Sequence, residues 1–278
     1  MVRLLHKRTF EAEDRVLGLD FSDSGKLGIA ASDGHAYILD AHGTPVFKGH
    51  AYLPMEDVSH CCGKFGFINQ DGKVFMIDED GYLLNKISVG VDYTKGITMT
   101  PDGFAVCGNG CAFFDYDGDK RWEIHTDLPL VQRGPSHYQD YWYIAEWIEL
   151  VILKDGKIVN VMENSGCSNA YIDTAVCGKH LAILTYRHLY LYDLSDPANP
   201  REIWKTGDFD YARQVAFSPD CKYIAVADKN NMKLKVYDIS GNSVLEKGYG
   251  SRVWSVAWWR DLIAVGVDSL VHLYEVRR

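Results

Sequence analysis

Long apolar runs, helical periods and paired cysteines are all scarce in this chain of 278 residues. No segment combines a 3.6-residue apolar period with helix caps, so an α-helical bundle is excluded. The longest apolar stretch, Tyr141 to Lys154, carries Glu146 and Glu149 and is too short and too acidic to span a bilayer. No Cys-x-x-Cys pair exists among the seven cysteines, and no Gly-x-Ser-x-Gly nucleophile motif occurs. Thiolate zinc sites and a serine-hydrolase elbow are therefore not indicated. The start, MVRLLHKRTFEAED, has neither an apolar core nor a small-residue cleavage site. With an odd cysteine count, this sets the expectation of a cytoplasmic protein with mostly reduced thiols. Cys107 and Cys111 flank an Asn-Gly turn, and whether they form a disulfide stays open. A net charge of −9 argues against an indiscriminate nucleic-acid binder, though not against a local basic patch.

What the chain has is a repeat. A short apolar run ending in a carboxylate recurs as YILD (Asp40), FMID (Asp78), AFFD (Asp115), LYLYD (Asp193), LKVYD (Asp238) and HLYE (Glu275). VILK fills the fourth place, with Lys154 at the acidic position. The steps run from 37 to 45 residues, a period that marks propellers and solenoids. Asp-Gly follows at Asp33, Asp71, Asp80, Asp102, Asp117 and Asp155, and Asn-Gly at Asn109. These pairs tolerate the positive φ of two-residue hairpins. Between them lie stretches of four to seven residues rich in Val, Ile, Tyr and Phe, which suit strands. Each unit reads as four strands, and Tyr141 to Lys154 as two of them with a turn at Glu146–Glu149.

The seventh unit, from Arg252, has room for three strands only: VWSVAW, LIAVGV and VHLYEV. An open sheet edge is aggregation-prone, so Val2 to Phe10 is predicted to supply the missing outer strand. The fold class is all-β: a seven-bladed β-propeller, residues 1–278 forming one domain. RQVAFSPDCKYIAVADKNNMKLKVYD, SRVWSVAWWRDLIAVGVDSLVHLYE and LDFSDSGKLGIAASDGHAYILD resemble WD-repeat blades. No unit keeps Trp-Asp at the end of its third strand, and Gly-His occurs once, at Gly49-His50. FDYDGDKRWEI is similar to a blade of the quinoprotein type, so no subfamily is assigned.

Ligands of propellers often dock where the innermost strands begin. A cation stands at or near that entry in five of the seven units: Arg15, Lys95, Arg133, Arg213 and Arg252. Asp57 and Tyr171 occupy the other two. Tyr93, Tyr171, Tyr211 and Trp254 are the aromatic candidates for the same rim, since Arg and aromatic side chains dominate interaction hot spots. Asp14, Glu56, Asp92, Asp173 and Asp210 lie close by in sequence, which favours neutralised surface ion pairs as the plainer explanation. The leading expectation is a non-catalytic scaffold that docks a protein partner, an acidic one if the cations act, with no cofactor and no membrane association. A rival reading is a metal-dependent lactonase-like enzyme using Asp57, His60, His137, Asn169 and Asp173 in the central channel. A third is a sensor of anionic ligands or nucleic-acid backbones.

Overall fold

The structure is a computed structural model that describes residues 2–125, 133–163 and 170–277. Among these residues, 28 strands form seven four-stranded antiparallel sheets. The innermost strands are β2 (Val16–Phe21), β6 (Met55–Cys61), β10 (Gly96–Thr100), β14 (Ser136–Tyr138), β18 (Tyr171–Cys177), β22 (Ala212–Phe217) and β26 (Val253–Trp259). Each contacts the next in that order, and β26 returns to β2, so the blades form a closed ring. No helix is long and apolar enough to cross a membrane among the described residues.

Closure follows the strand count. β1 (Arg3–Glu11) pairs antiparallel with β28 (Leu270–Arg277), from Arg3 opposite Arg277 to Glu11 opposite Leu270. The expected turn in the long apolar stretch is present, between β15 (Tyr141–Ala145) and β16 (Glu149–Lys154). Gly34, Gly72, Gly81, Gly110, Gly118 and Gly156 all have the positive φ that their Asp-Gly or Asn-Gly pairs anticipate.

The strand-ending carboxylates also do the same local job in successive blades. Asp40 accepts hydrogen bonds from the amides of His42 and Thr44, Asp78 from those of Asp80 and Tyr82, and Asp115 from those of Asp117 and Asp119. Asp238 accepts from the amides of Ser240 and Asn242, and Asp193 from the amide and hydroxyl of Ser195. An Asp at a strand end thus fixes the following turn.

The core is a set of wedges between blades. Ala30 and Ile38 of the first blade pack with Val58, Phe65, Phe67 and Ile77 of the second. Burial of one such Phe side chain stabilises by roughly 1.5–3 kcal/mol. Polar side chains of the innermost strands then cross every junction. Asp20 accepts from the His60 amide, Asp57 from the Ile97 amide and Ser59 from the Met99 amide. Thr98 donates to the Pro135 carbonyl and Thr174 to the Ser136 hydroxyl. Asp173 accepts from the Val215 amide, Gln214 from the Val256 amide, and Ser255 donates to the Val16 carbonyl. Among the described residues this circuit bridges all seven blade junctions.

Two disulfides correct the expectation of reduced thiols. Cys107 and Cys111 are bonded across their hairpin, with Cα atoms 4.2 Å apart. Cys177 and Cys221 link the fifth blade to the sixth. The second pairing was invisible in the sequence, because its partners sit in turns 44 residues apart that only the ring brings together. Cys61 and Cys62 remain free.

Candidate functional site

Two sites emerge around the axis of the ring. The first is the channel, where a cavity of about 480 Å³ is lined by Asp20, Asp57, Arg133, His137, Asp173 and Gln214 among others. Arg133 was expected on the rim. It is instead 3% exposed and lies in the channel, where it donates to the Asp57 carboxylate (3.0 Å) and to the Leu17 carbonyl (2.6 Å). The backbone explains the shift. A Cβ on Gly96 would lie 1.8 Å from the Gly134 nitrogen, and one on Gly134 2.5 Å from the Ile97 carbonyl oxygen. Two facing glycines therefore let the chain at Arg133 press against the third blade. Gly18 likewise leaves room for the Asp57 carboxylate, whose Oδ1 would lie 2.7 Å from an added Cβ.

Asp57, Asp173, Gln214 and Ser255 each follow a register shift in their strand. Such a bulge re-aims a side chain, here across the blade junction. Burial raises the Asp173 carboxyl to about 7, against the pull of Arg133, and Asp20 also to about 7. His137 lines the cavity, and burial lowers its pKa. His60 lies elsewhere, bonded to Glu79 at 3.0 Å and packed on Phe65. Asn169 lies outside the described residues. No three His, Cys, Asp or Glu side chains converge as a metal-ligand set among the described residues. Asp57 and Asp173 are thus engaged in holding blades together.

The second site lies on the entry face, over the sixth, seventh and first blades. Lys229 sits in the turn between β23 (Tyr223–Asp228) and β24 (Lys233–Asp238). Its ammonium lies 4.3 Å from the ring centre of Tyr211 and 4.3 Å from that of Trp254. The Arg15 guanidinium covers the Trp254 ring at 5.4 Å. Tyr186 stacks on Tyr211, centroids 4.3 Å apart. Trp254 is fixed by its indole N–H, which donates to Asp268 at 2.9 Å. Tyr211 is held at φ 57°, a left-handed conformation that a non-glycine residue rarely adopts. Burial, followed by the charges of Arg213, Arg252 and Arg15, pushes Lys229 down to about 8. Arg15, Arg213 and Arg252 thus act on Lys229 beside the Tyr211 and Trp254 rings, and the Glu56 carboxylate acts on Arg213. Arg15 forms an ion pair with Asp14, at 3.8 Å. No carboxylate pairs with Lys229 or Arg252 among the described residues.

The remaining rim candidates separate from this cluster. Lys95 is tied to Glu56 at 2.7 Å. Tyr171 was expected on the rim and is corrected to the core, 5% exposed between the fourth and fifth blades. Trp254 is also 6% exposed and serves as a wall rather than a protruding contact. Tyr93 is 61% exposed and lines a 370 Å³ entry-face pocket with Leu53, Gln70, Asp71 and Asp92. Arg15, Arg213, Arg252, Tyr211 and Trp254 were legible in the sequence as rim residues, whereas Lys229 and Tyr186 were not. Both stand in turns between the second and third strands, outside the inner-strand entries. Their signal was the ring geometry, which places those turns on the same face.

The fold is that of the seven-bladed WD40 β-propellers. Two solved structures illustrate the likeness. The chain is 16% identical to the β-propeller domain of Myceliophteria thermophila Cps50 (Swd1), with a TM-score of 0.80, covering 99% of this chain and all of that one. It is 11% identical to the WD40 β-propeller domain of Doa1, with a TM-score of 0.84, covering 98% of this chain and 97% of that one. No protein-family model and no curated protein matches the sequence.

Proposed function

We propose that the protein is a non-catalytic interaction scaffold that docks an acidic segment of a protein partner on its entry face. The observation that carries this reading is Lys229, held between the rings of Tyr211 and Trp254, with the Arg15 guanidinium over the same Trp254 ring. Concentrating like charge in a half-buried site opposes folding unless something compensates. Arg213 is half-buried, and burial and the neighbouring Arg133 lower its pKa while Tyr211, Glu56 and Tyr186 pull the other way. An anionic partner would relieve that repulsion. Rigid aromatic walls with Arg are also the residue types that dominate binding hot spots.

Arg15 and Arg252 are exposed, so reversing their charge tests the face without disturbing the core. Arg15→Glu/Arg252→Glu is expected to melt at or above the wild-type temperature, since it relieves repulsion, and to lose at least tenfold in affinity for a polyglutamate peptide. Reversal at Lys120 and Lys157, on exposed outer-strand positions, is the control. Equal losses in both variants, or none in the first, would sink the assignment of this face.

A further inference from the structure

We propose that Cys61 and Cys62 are a reversible redox site, a dithiol of chain neighbours that low-molecular-weight disulfides oxidise to a disulfide on the face opposite the inner-strand entries. Both thiols are free, and their sulfur atoms lie 3.0 Å apart. A disulfide bond is about 2.05 Å long, so closure asks for a movement of roughly one ångström. The pair ends β6 and opens the hairpin to β7 (Lys64–Asn69), with Cys61 opposite Lys64. Successive side chains of a strand point to opposite faces, which would keep adjacent thiols apart. Here Cys62 stands at φ 55° and Gly63 at φ 76°, as the two central residues of a tight turn. The left-handed backbone at Cys62 breaks the alternation and brings the second sulfur back to the first.

The two sulfurs are not equivalent. Cys62 is exposed, whereas Cys61 is half-buried and packs, with Tyr116, against the wedge between the second and third blades. Burial, and then the hydrogen bond with Cys62, raises the pKa of the Cys61 thiol. Cys61 therefore holds its proton, and Cys62 is the sulfur that meets an oxidant first. The Cys62 thiolate attacks one sulfur of a disulfide RSSR, forming a mixed disulfide and expelling RS⁻, which takes up a proton. Cys61 then loses its proton to solvent and attacks the Cys62 sulfur, expelling the second RS⁻, which is protonated in turn. The protein gives up two electrons and two protons, and RSSR becomes two RSH. The peptide bond holds neighbouring Cα atoms about 3.8 Å apart, whereas disulfides commonly span about 5.5–6 Å. Cys177–Cys221 spans 5.6 Å. The closed Cys61–Cys62 ring is thus strained, and strained, exposed disulfides are the readily reduced ones. That pair is suited to switching, and the cross-blade bond to holding.

The test equilibrates the full folded chain with defined ratios of reduced and oxidised glutathione, quenches with acid, alkylates the remaining thiols and digests with trypsin. Residues 49–64 form one tryptic peptide, in which Cys61 and Cys62 are the only cysteines. This peptide is expected as a doubly alkylated form and as an unalkylated form about two mass units lighter than the dithiol, interconverting with the ratio. Its midpoint should lie at a ratio at least tenfold more oxidising than that for Cys177–Cys221. Cys61→Ser should stop at a single glutathione adduct on Cys62, and Cys62→Ser should react at least tenfold more slowly than Cys61→Ser. The wild-type peptide alone decides whether the ring forms, should a variant fold poorly. A peptide that stays fully alkylated at the most oxidising ratio would overturn the proposal, as would two glutathione adducts or an intermolecular cross-link in place of the ring. A midpoint at or below that of Cys177–Cys221 would overturn the switch and make the pair a structural bond. Equal rates in the two single variants would overturn the assignment of Cys62 as the attacking sulfur.

Discussion

Single residues in this ring divide between those that fix turns, those that hold blades together across the channel and those that bury a titratable group. Asp238 is the plainest turn carboxylate, accepting from two amides and from the Asn242 side chain. Asp238→Ala should cost on the order of 1 kcal/mol in thermal or urea unfolding and leave ligand binding unchanged. Arg133 is a different case. Its removal strands Asp57, which is 5% exposed, without its partner. Arg133→Met should therefore cost about 3–5 kcal/mol, and adding Asp57→Asn should recover part of the loss. A double variant no more stable than the single one would refute that coupling. Glu146 is 3% exposed, its Oε1 has no hydrogen-bond partner, and burial raises its pKa to about 7. Its folded pKa exceeds the unfolded value of 4.5, so the contribution favouring the fold is present below about pH 4.5 and is lost as pH rises through 7. Glu146→Gln should then match the wild type near pH 4.5 and exceed it by on the order of 2 kcal/mol at pH 8. A stability difference independent of pH would show that the carboxyl stays ionised throughout.

At the scale of strands and turns, the sequence was most legible where local chemistry repeats. Asp-Gly pairs, strand-ending carboxylates and four-to-seven-residue β-rich stretches depend on neighbours within one hairpin, so all seven blades could be read from the chain. The polar circuit between blades was not legible, because Asp57, Asp173, Gln214 and Ser255 share a role only through the bulges that precede them. Tyr171 misled for a related reason: it occupies an entry position, yet its ring packs into the wedge between two blades. Closure was readable by counting strands. In the structure β1 lies on the outer edge of the last blade, where Val2 is buried with Val276 and Tyr274. Deleting residues 2–10 exposes the β28 edge and uncovers that wedge. The truncated chain should aggregate or lose its sharp melting transition. A truncated protein that melts as cooperatively as the full chain would show that the outer strand is dispensable.

For the whole molecule, the decisive contrast is between the field far from the surface and the field at one spot. The net charge of −9 makes the distant potential negative, whereas three arginines act on Lys229. Beyond a Debye length, about 10 Å at 0.1 M salt, an approaching anion senses little of either. Long-range steering toward the cluster is therefore weak, and attraction acts only after contact. A protein that tracks a polyanion behaves otherwise, losing roughly 10³–10⁵ in affinity between 50 and 200 mM salt as counterions are released. Here the affinity for a short acidic peptide should fall by only about tenfold over the same range, since such a peptide carries no condensed counterion atmosphere to release. Lys229 adds a second signature. Its pKa of about 8 must rise when an anion binds, so binding above pH 8 takes up a proton and weakens as the pH increases. Calorimetry at pH 8.5 in two buffers of different ionisation enthalpy should give different apparent binding enthalpies, and the difference should vanish in Lys229→Arg. A steep salt dependence, or identical enthalpies in both buffers, would mean that the ligand meets the molecule somewhere other than this cluster.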